Sequence, residues 1–178
     1  SWGGAADFGP YSATGVEDSG TNAAEDMATA VSVVTDKTIL IAGFTEANSG
    51  NGNAVDPFVM TMHYVSGSWT GGNTISSVHD TRALGMRVEP KVTGQPGKGF
   101  IVGQRNYNAL QHPWVSTMSF SLSATTEAPN LSFPAEKMFY ADKGGGALLD
   151  ACWYEEDHLV LVGRSRTLEE GLDDVVPY

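Results

Sequence analysis

The stretch Thr38-Ile39-Leu40-Ile41-Ala42-Gly43-Phe44 recurs as Gly99-Phe100-Ile101-Val102-Gly103-Gln104 and again as His158-Leu159-Val160-Leu161-Val162-Gly163-Arg164. The glycines stand at 43, 103 and 163, so 103 − 43 and 163 − 103 both give a period of 60 residues. A fixed period marks stacked units, none of which can bury its own faces alone. The runs are nearly continuous in apolar residues, which suits a strand covered on both sides.

Each run has a predecessor of matching character. Ala28-Thr29-Ala30-Val31-Ser32-Val33 parallels Ala83-Leu84-Gly85-Met86-Arg87-Val88 and Leu148-Leu149-Asp150-Ala151-Cys152-Trp153. Each also has a successor: Asp56-Pro57-Phe58-Val59-Met60-Thr61-Met62-His63-Tyr64 aligns with His112-Pro113-Trp114-Val115-Ser116-Thr117-Met118-Ser119-Phe120, and Asp173-Asp174-Val175-Val176 takes that place in the third unit. Alternation puts Phe58, Met60, Met62 and Tyr64 on one face, in phase with Trp114, Ser116, Met118 and Phe120. A fourth strand is expected at 66–72 in the first unit and at Leu131–Tyr140 in the second. Ser1-Trp2-Gly3-Gly4 resembles Ser68-Trp69-Thr70-Gly71-Gly72, so the chain is expected to open in the last strand of a preceding unit.

Composition agrees. Glycine is 21 of 178 residues, above the usual share of about 7%, and it punctuates runs rich in Val, Ile, Thr and aromatics. The best helical window, Thr167 to Leu172, is too short and meets Gly171. The expected class is all-β, with about three four-stranded antiparallel units: 27–79, 80–143 and a partial 144–178, after an opening strand and acidic linker over 1–26.

The pattern of Ala-x-x-Val-x-Val, short turn, four apolar residues then Gly, loop, Asp-aromatic-Val resembles the repeat of secreted bacterial and algal β-propeller proteins. That resemblance implies four-stranded blades of about 60 residues and carries no catalytic position. It departs at His112, which replaces the loop Asp, and at Pro90–Lys98, which lengthens one turn. Closed propellers hold 4 to 8 blades, so about three units imply a section of a larger ring or a half-ring completed by a partner. A threefold β-prism or β-trefoil is the alternative. An open arc leaves two end faces of roughly 330 Å² each bare, which makes them docking surfaces for other chains or for the rest of the same chain.

The net charge of −11 and the pI near 4.6 argue against nucleic acid or anionic lipid as partners, and no apolar run is long enough for a spanning helix. Chemistry is sparse. His63, His79, His112 and His158 lack metal-ligand spacing, and His63 reads as a partly solvated strand residue. Cys152, six residues before His158, could form a nucleophile–base pair, but its apolar neighbours favour a small buried hydrophobe. Asn51, Asn53 and Asp56 lie in an oxygen-rich loop and form a weak Ca²⁺ candidate. The cluster from Glu17 to Asp26 has more charge but no ligand spacing. Asn130-Leu131-Ser132 is an N-glycosylation triplet.

Trp2, Trp69, Trp114 and Trp153 differ in repeat position, which favours packing between units over a sugar-stacking platform. The connections after the glycines vary, with 13 positions from Gly43 to Asp56, nine from Gly103 to His112 and ten from Gly163 to Asp173. Variable loops on a constant scaffold suit binding. The expected function is a non-catalytic structural or protein-interaction module without a cofactor, in an extracellular or other non-cytosolic compartment. A carbohydrate-binding module is the runner-up. A hydrolase would need Asp56 to converge with Asp173 and Asp174.

Overall fold

The computed structural model describes residues 26–35, 37–45, 55–65, 68–75, 80–89, 97–122, 129–140, 145–154, 158–169 and 172–177. They form three antiparallel sheets. The first holds β1 (Asp26–Thr35), β2 (Thr38–Thr45), β3 (Asp56–Val65) and β4 (Ser68–Ile75). The second holds β5 (Thr81–Val88), β6 (Gly97–Tyr107), β7 (Leu110–Leu122) and β8 (Pro129–Met138). The third holds β9 (Gly145–Tyr154), β10 (His158–Glu169) and β11 (Leu172–Pro177). Within each sheet, strands adjacent in sequence are adjacent in space. The all-β expectation holds, and β8 supplies the weak fourth strand. The opening strand expected at Ser1–Gly4 lies outside the described residues.

The three sheets share more than strand order. Gly43 faces Ala28, Gly103 faces Ala83 and Gly163 faces Leu148. In every case the next residue of the first strand (Thr29, Leu84 or Leu149) is skipped by the ladder as a bulge. The kink lays a carbonyl over the glycine. A methyl group added at Gly43, Gly103 or Gly163 would collide with the carbonyl oxygen of Met27, Arg82 or Ala147. Only hydrogen fits there.

The sheets stack in chain order. Strand β5 packs against β1, β2 and β3, while β9 packs against β5, β6 and β7. Between the first two sheets, Leu40, Ala42 and Val59 meet Met86, Ile101, Trp114 and Met118. Between the second and third, Phe100, Val102 and Val115 meet Leu148 and Ala151, flanked by Trp153, Leu159 and Leu161. Strand β6 therefore sends Ile101 one way and its neighbours Phe100 and Val102 the other, as a strand buried on both faces must.

Apolar contact dominates these interfaces. A fully buried Leu, Phe or Met stabilises by about 1.5–3 kcal/mol. The Arg87–Asp150 pair linking the second and third sheets is 3.4 Å long and more than half exposed on both sides, a class worth about 0–1 kcal/mol. Polar links are local: the Thr29 hydroxyl donates to the Ala83 carbonyl at 2.9 Å, and the Arg82 guanidinium lies 5.5 Å over the Phe44 ring.

Two departures from the sequence reading follow from the register. Thr45 pairs with Asp56 and Arg105 with His112, each two residues past its glycine. The corresponding Ser165 pairs with Val176, while Asp173 and Asp174 pair further on with Leu168 and Thr167. The place assigned to Asp173 therefore belongs to Val176. Cys152, expected to be buried, is exposed, because it sits on the side of the third sheet that points away from the second.

The glycine collision is open to measurement. Ala at Gly43, Gly103 or Gly163 should each cost about 1–3 kcal/mol, as forced overpacking does. Ala at Gly145, whose added methyl would sit 3.5 Å from the Gln111 Cβ, should stay within about 0.5 kcal/mol. Chemical denaturation of the four variants compares them directly.

Candidate functional site

Two surfaces stand out: the outer faces of the stack, and one rim of the middle sheet. The register aligns the faces residue by residue. Leu40, Phe100 and Val160 occupy one repeat position, and Ala42, Val102 and Val162 another. The members in the first two sheets are fully buried beneath the next sheet, whereas Val160 and Val162 are 46% and 49% exposed. At the opposite end, Val31 and Val33 match Met86 and Val88 in the second sheet and Ala151 and Trp153 in the third. Those four pack against a preceding sheet, while Val31 and Val33 are 65% and 62% exposed. Both outer faces thus carry residues whose counterparts inside the stack are covered.

The rim is built around the β6–β7 hairpin. Tyr107 pairs with Leu110 across Asn108 and Ala109, whose φ angles are 50° and 61°. Positive φ at both central residues is the type I′ hairpin turn, which matches strand twist. Asn tolerates it, but Ala has no side-chain compensation and bears about 1–2 kcal/mol of strain. Asp80, at φ 54°, completes the positive-φ residues other than glycine among those described. Its carbonyl accepts from the Asn106 amide at 2.8 Å, so all three sit at the same corner.

Three rings meet there. Tyr107 and Tyr140 lie 6.0 Å apart at 76°, His112 and Tyr140 5.5 Å at 60°, and Tyr107 and His112 6.2 Å at 57°. His112 is buried, and its Nε2 lies 3.2 Å from the Tyr107 carbonyl. A carbonyl only accepts, so Nε2 carries the proton. Just behind, Glu136 takes the Trp114 indole N–H and one Arg105 nitrogen, each at 3.3 Å, and so ties β8 to the base of the hairpin.

The residues singled out by sequence fall differently. Asn51, Asn53 and His79 lie outside the described residues. So does the acidic cluster, apart from Asp26, which opens β1. Asp56 begins β3 and is half-buried, and among the described residues no three His, Cys, Asp or Glu side chains gather as a metal site would require. His63 pairs with Thr38 in the first sheet. Cys152 pairs with Val160 and His158 with Tyr154, so the two stand diagonally across the β9–β10 ladder. Asn130 is exposed near the start of β8, which lies at the sheet edge. Trp114 is fully buried, and Trp153 meets the Phe100 ring edge-on at 5.5 Å; both pack between sheets.

The Tyr107–His112–Tyr140 corner is absent from the sequence reading. Its one linear signal is the short connection from Gly103 to His112, which carries Tyr107 and His112; the Tyr140 contribution comes only from the fold. A cavity of about 150 Å³ lies nearby, lined by Pro113, Phe139, Leu148 and Leu161. That lining is hydrocarbon and offers no group for acid–base work.

Comparison with known protein families, curated proteins and solved structures finds no match to this chain.

The strained turn has a simple test. Gly at Ala109 accepts φ 61° without cost and should raise stability by about 1 kcal/mol, seen as a higher thermal midpoint.

Proposed function

We propose that this chain is a section of a β-propeller that acts as a non-catalytic structural or protein-interaction module, completed at both outer faces by further sheets of the same repeat. The supporting observation is the positional match just described: Val160 and Val162 at one end, Val31 and Val33 at the other, bare where every internal counterpart is covered. Exposed apolar surface of this extent on a soluble molecule marks an interaction face. Three sheets stacked in chain order, with the first strands of the second and third against the sheet before them, fit the blade geometry that closes on itself at 4 to 8 members.

A hydrolase draws no support from the register. Asp56 belongs to the first sheet, Asp173 and Asp174 to the third, and the second sheet stands between them. The compartment proposed is extracellular or otherwise non-cytosolic, with Asn130 accessible for glycan attachment.

Light scattering and binding of an apolar dye test the stacking. The isolated 178-residue chain should self-associate or bind the dye strongly. The double variant Val31→Asp with Val160→Asp should stay at 18.8 kDa with weak dye binding and an unchanged β spectrum, because both positions are exposed. A wild-type chain that is monodisperse at that mass and does not bind the dye would overturn the proposal.

A further inference from the structure

We infer that the corner formed by Tyr107, His112 and Tyr140 is a carbohydrate-binding site, independently of how many sheets complete the stack. The two tyrosines are 46% and 68% exposed, yet each is held by ring contacts to a buried histidine. Large aromatic rings fixed in solvent present an apolar plane with a polar tip at small entropic cost. Their near-perpendicular setting offers one plane for stacking and a second that bounds it.

Ring spacing decides the ligand class. An aromatic cage for a quaternary ammonium needs faces held apart around a void. Here the rings touch one another, at 5.5 to 6.2 Å between centroids, so no cation fits among them and only the outer faces remain. A sugar ring uses such a face with its C–H side, and its hydroxyls need donors and acceptors beside the platform. Asn106, Asn108 and Gln111 supply exposed amides on the same hairpin, with the exposed Asp80 adjoining them through its bond to Asn106.

Preorganisation points the same way. Ala109, in the positive-φ turn it shares with Asn108, holds a costly backbone at this corner, as happens where a site must keep its shape. His112 acts as a positioning residue. Its ring packs on both tyrosines and its N–H fixes the Tyr107 backbone, while its own burial keeps it from the ligand.

The test is titration calorimetry of the full chain with cellohexaose, xylohexaose, laminarihexaose, mannohexaose and chitohexaose, alongside NMR of the tyrosine ring protons. At least one hexaose should bind with a dissociation constant below about 1 mM and shift the Tyr107 and Tyr140 ring signals. Tyr140→Ala should weaken that binding about tenfold or more, Tyr140→Trp should retain it, and the Val31→Asp, Val160→Asp double variant should bind as wild type. The last result separates this site from the outer faces. No binding by any hexaose, ring signals that stay unmoved, or wild-type affinity in both Tyr140→Ala and Tyr107→Ala would overturn the assignment. The ring shifts in the wild-type chain decide the matter even where a variant loses stability.

Discussion

In each sheet a backbone carbonyl rests on a glycine of the neighbouring strand, and the rest of the molecule is arranged around that contact. Carbonyls of Met27, Arg82 and Ala147 occupy the space a side chain would take at Gly43, Gly103 and Gly163. They get there because the first strand bulges at the following turn of the ladder, and a bulge adds both twist and a bend. The bend carries the first strand toward the neighbouring sheet. Its effects are visible where the Thr29 hydroxyl reaches the Ala83 carbonyl and where the Leu149 carbonyl lies over Gly85. One small residue per unit thus sets both the pairing of strands within a sheet and the approach of sheets to each other.

Once the sheets are so placed, alternation does the remaining work. A two-residue side-chain period means that the part of a strand buried on both faces must be apolar at successive positions, and β6 is from Phe100 to Val102. The outermost sheets keep this composition on sides that meet nothing among the described residues. Evolution of a terminal face normally replaces such residues with charge, as capping repeats do. Val31, Val33, Val160 and Val162 stay apolar and 46–65% exposed on those faces. Electrostatics cannot substitute for cover here: the inter-sheet ion pair Arg87–Asp150 is solvent-exposed and belongs to the weak class.

How much of this was legible in the sequence depends on the kind of signal. The glycine period, the strand pairs around it and the phase of Trp114 against Phe58 are local patterns, and they survive in the structure. In the third unit sequence and ladder part company: Asp173-Asp174 looks like the acidic start of β3, whereas the pairing follows a different mark. Pro57, Pro113 and Pro177 each pair with the residue just after the glycine, at Phe44, Gln104 and Arg164. In the first two sheets the fourth strand begins pairing one residue later, at Phe58 and Trp114. Proline lacks the N–H that a two-sided ladder would need, so it marks where such pairing begins. The Pro-aromatic pair was in the sequence throughout, outweighed by a more conspicuous charge. Cys152 is exposed for another reason: it shares its repeat position with Ser32 and Arg87, half-buried and exposed in the other two sheets, and its apolar sequence neighbours conceal that.

Faces and rim divide the chemistry between them. Side chains on the faces are fixed by the demand that sheets stack, so they repeat in kind from unit to unit. Residues beyond the glycine-plus-two position escape that demand. In the first sheet the second and third strands are joined by a long connection, while in the second the strands run on to a two-residue turn. The extension lifts Tyr107 clear of the stack, buries His112 where the first sheet has Asp56, and brings in Tyr140 from the end of β8. Strain at Ala109 contributes nothing to stacking, since no part of the turn lies in either apolar interface. The turn type itself suits the twist of β6 and β7, so the one uncompensated cost is the alanine at its second central position, and it falls beside the rings rather than in the stack.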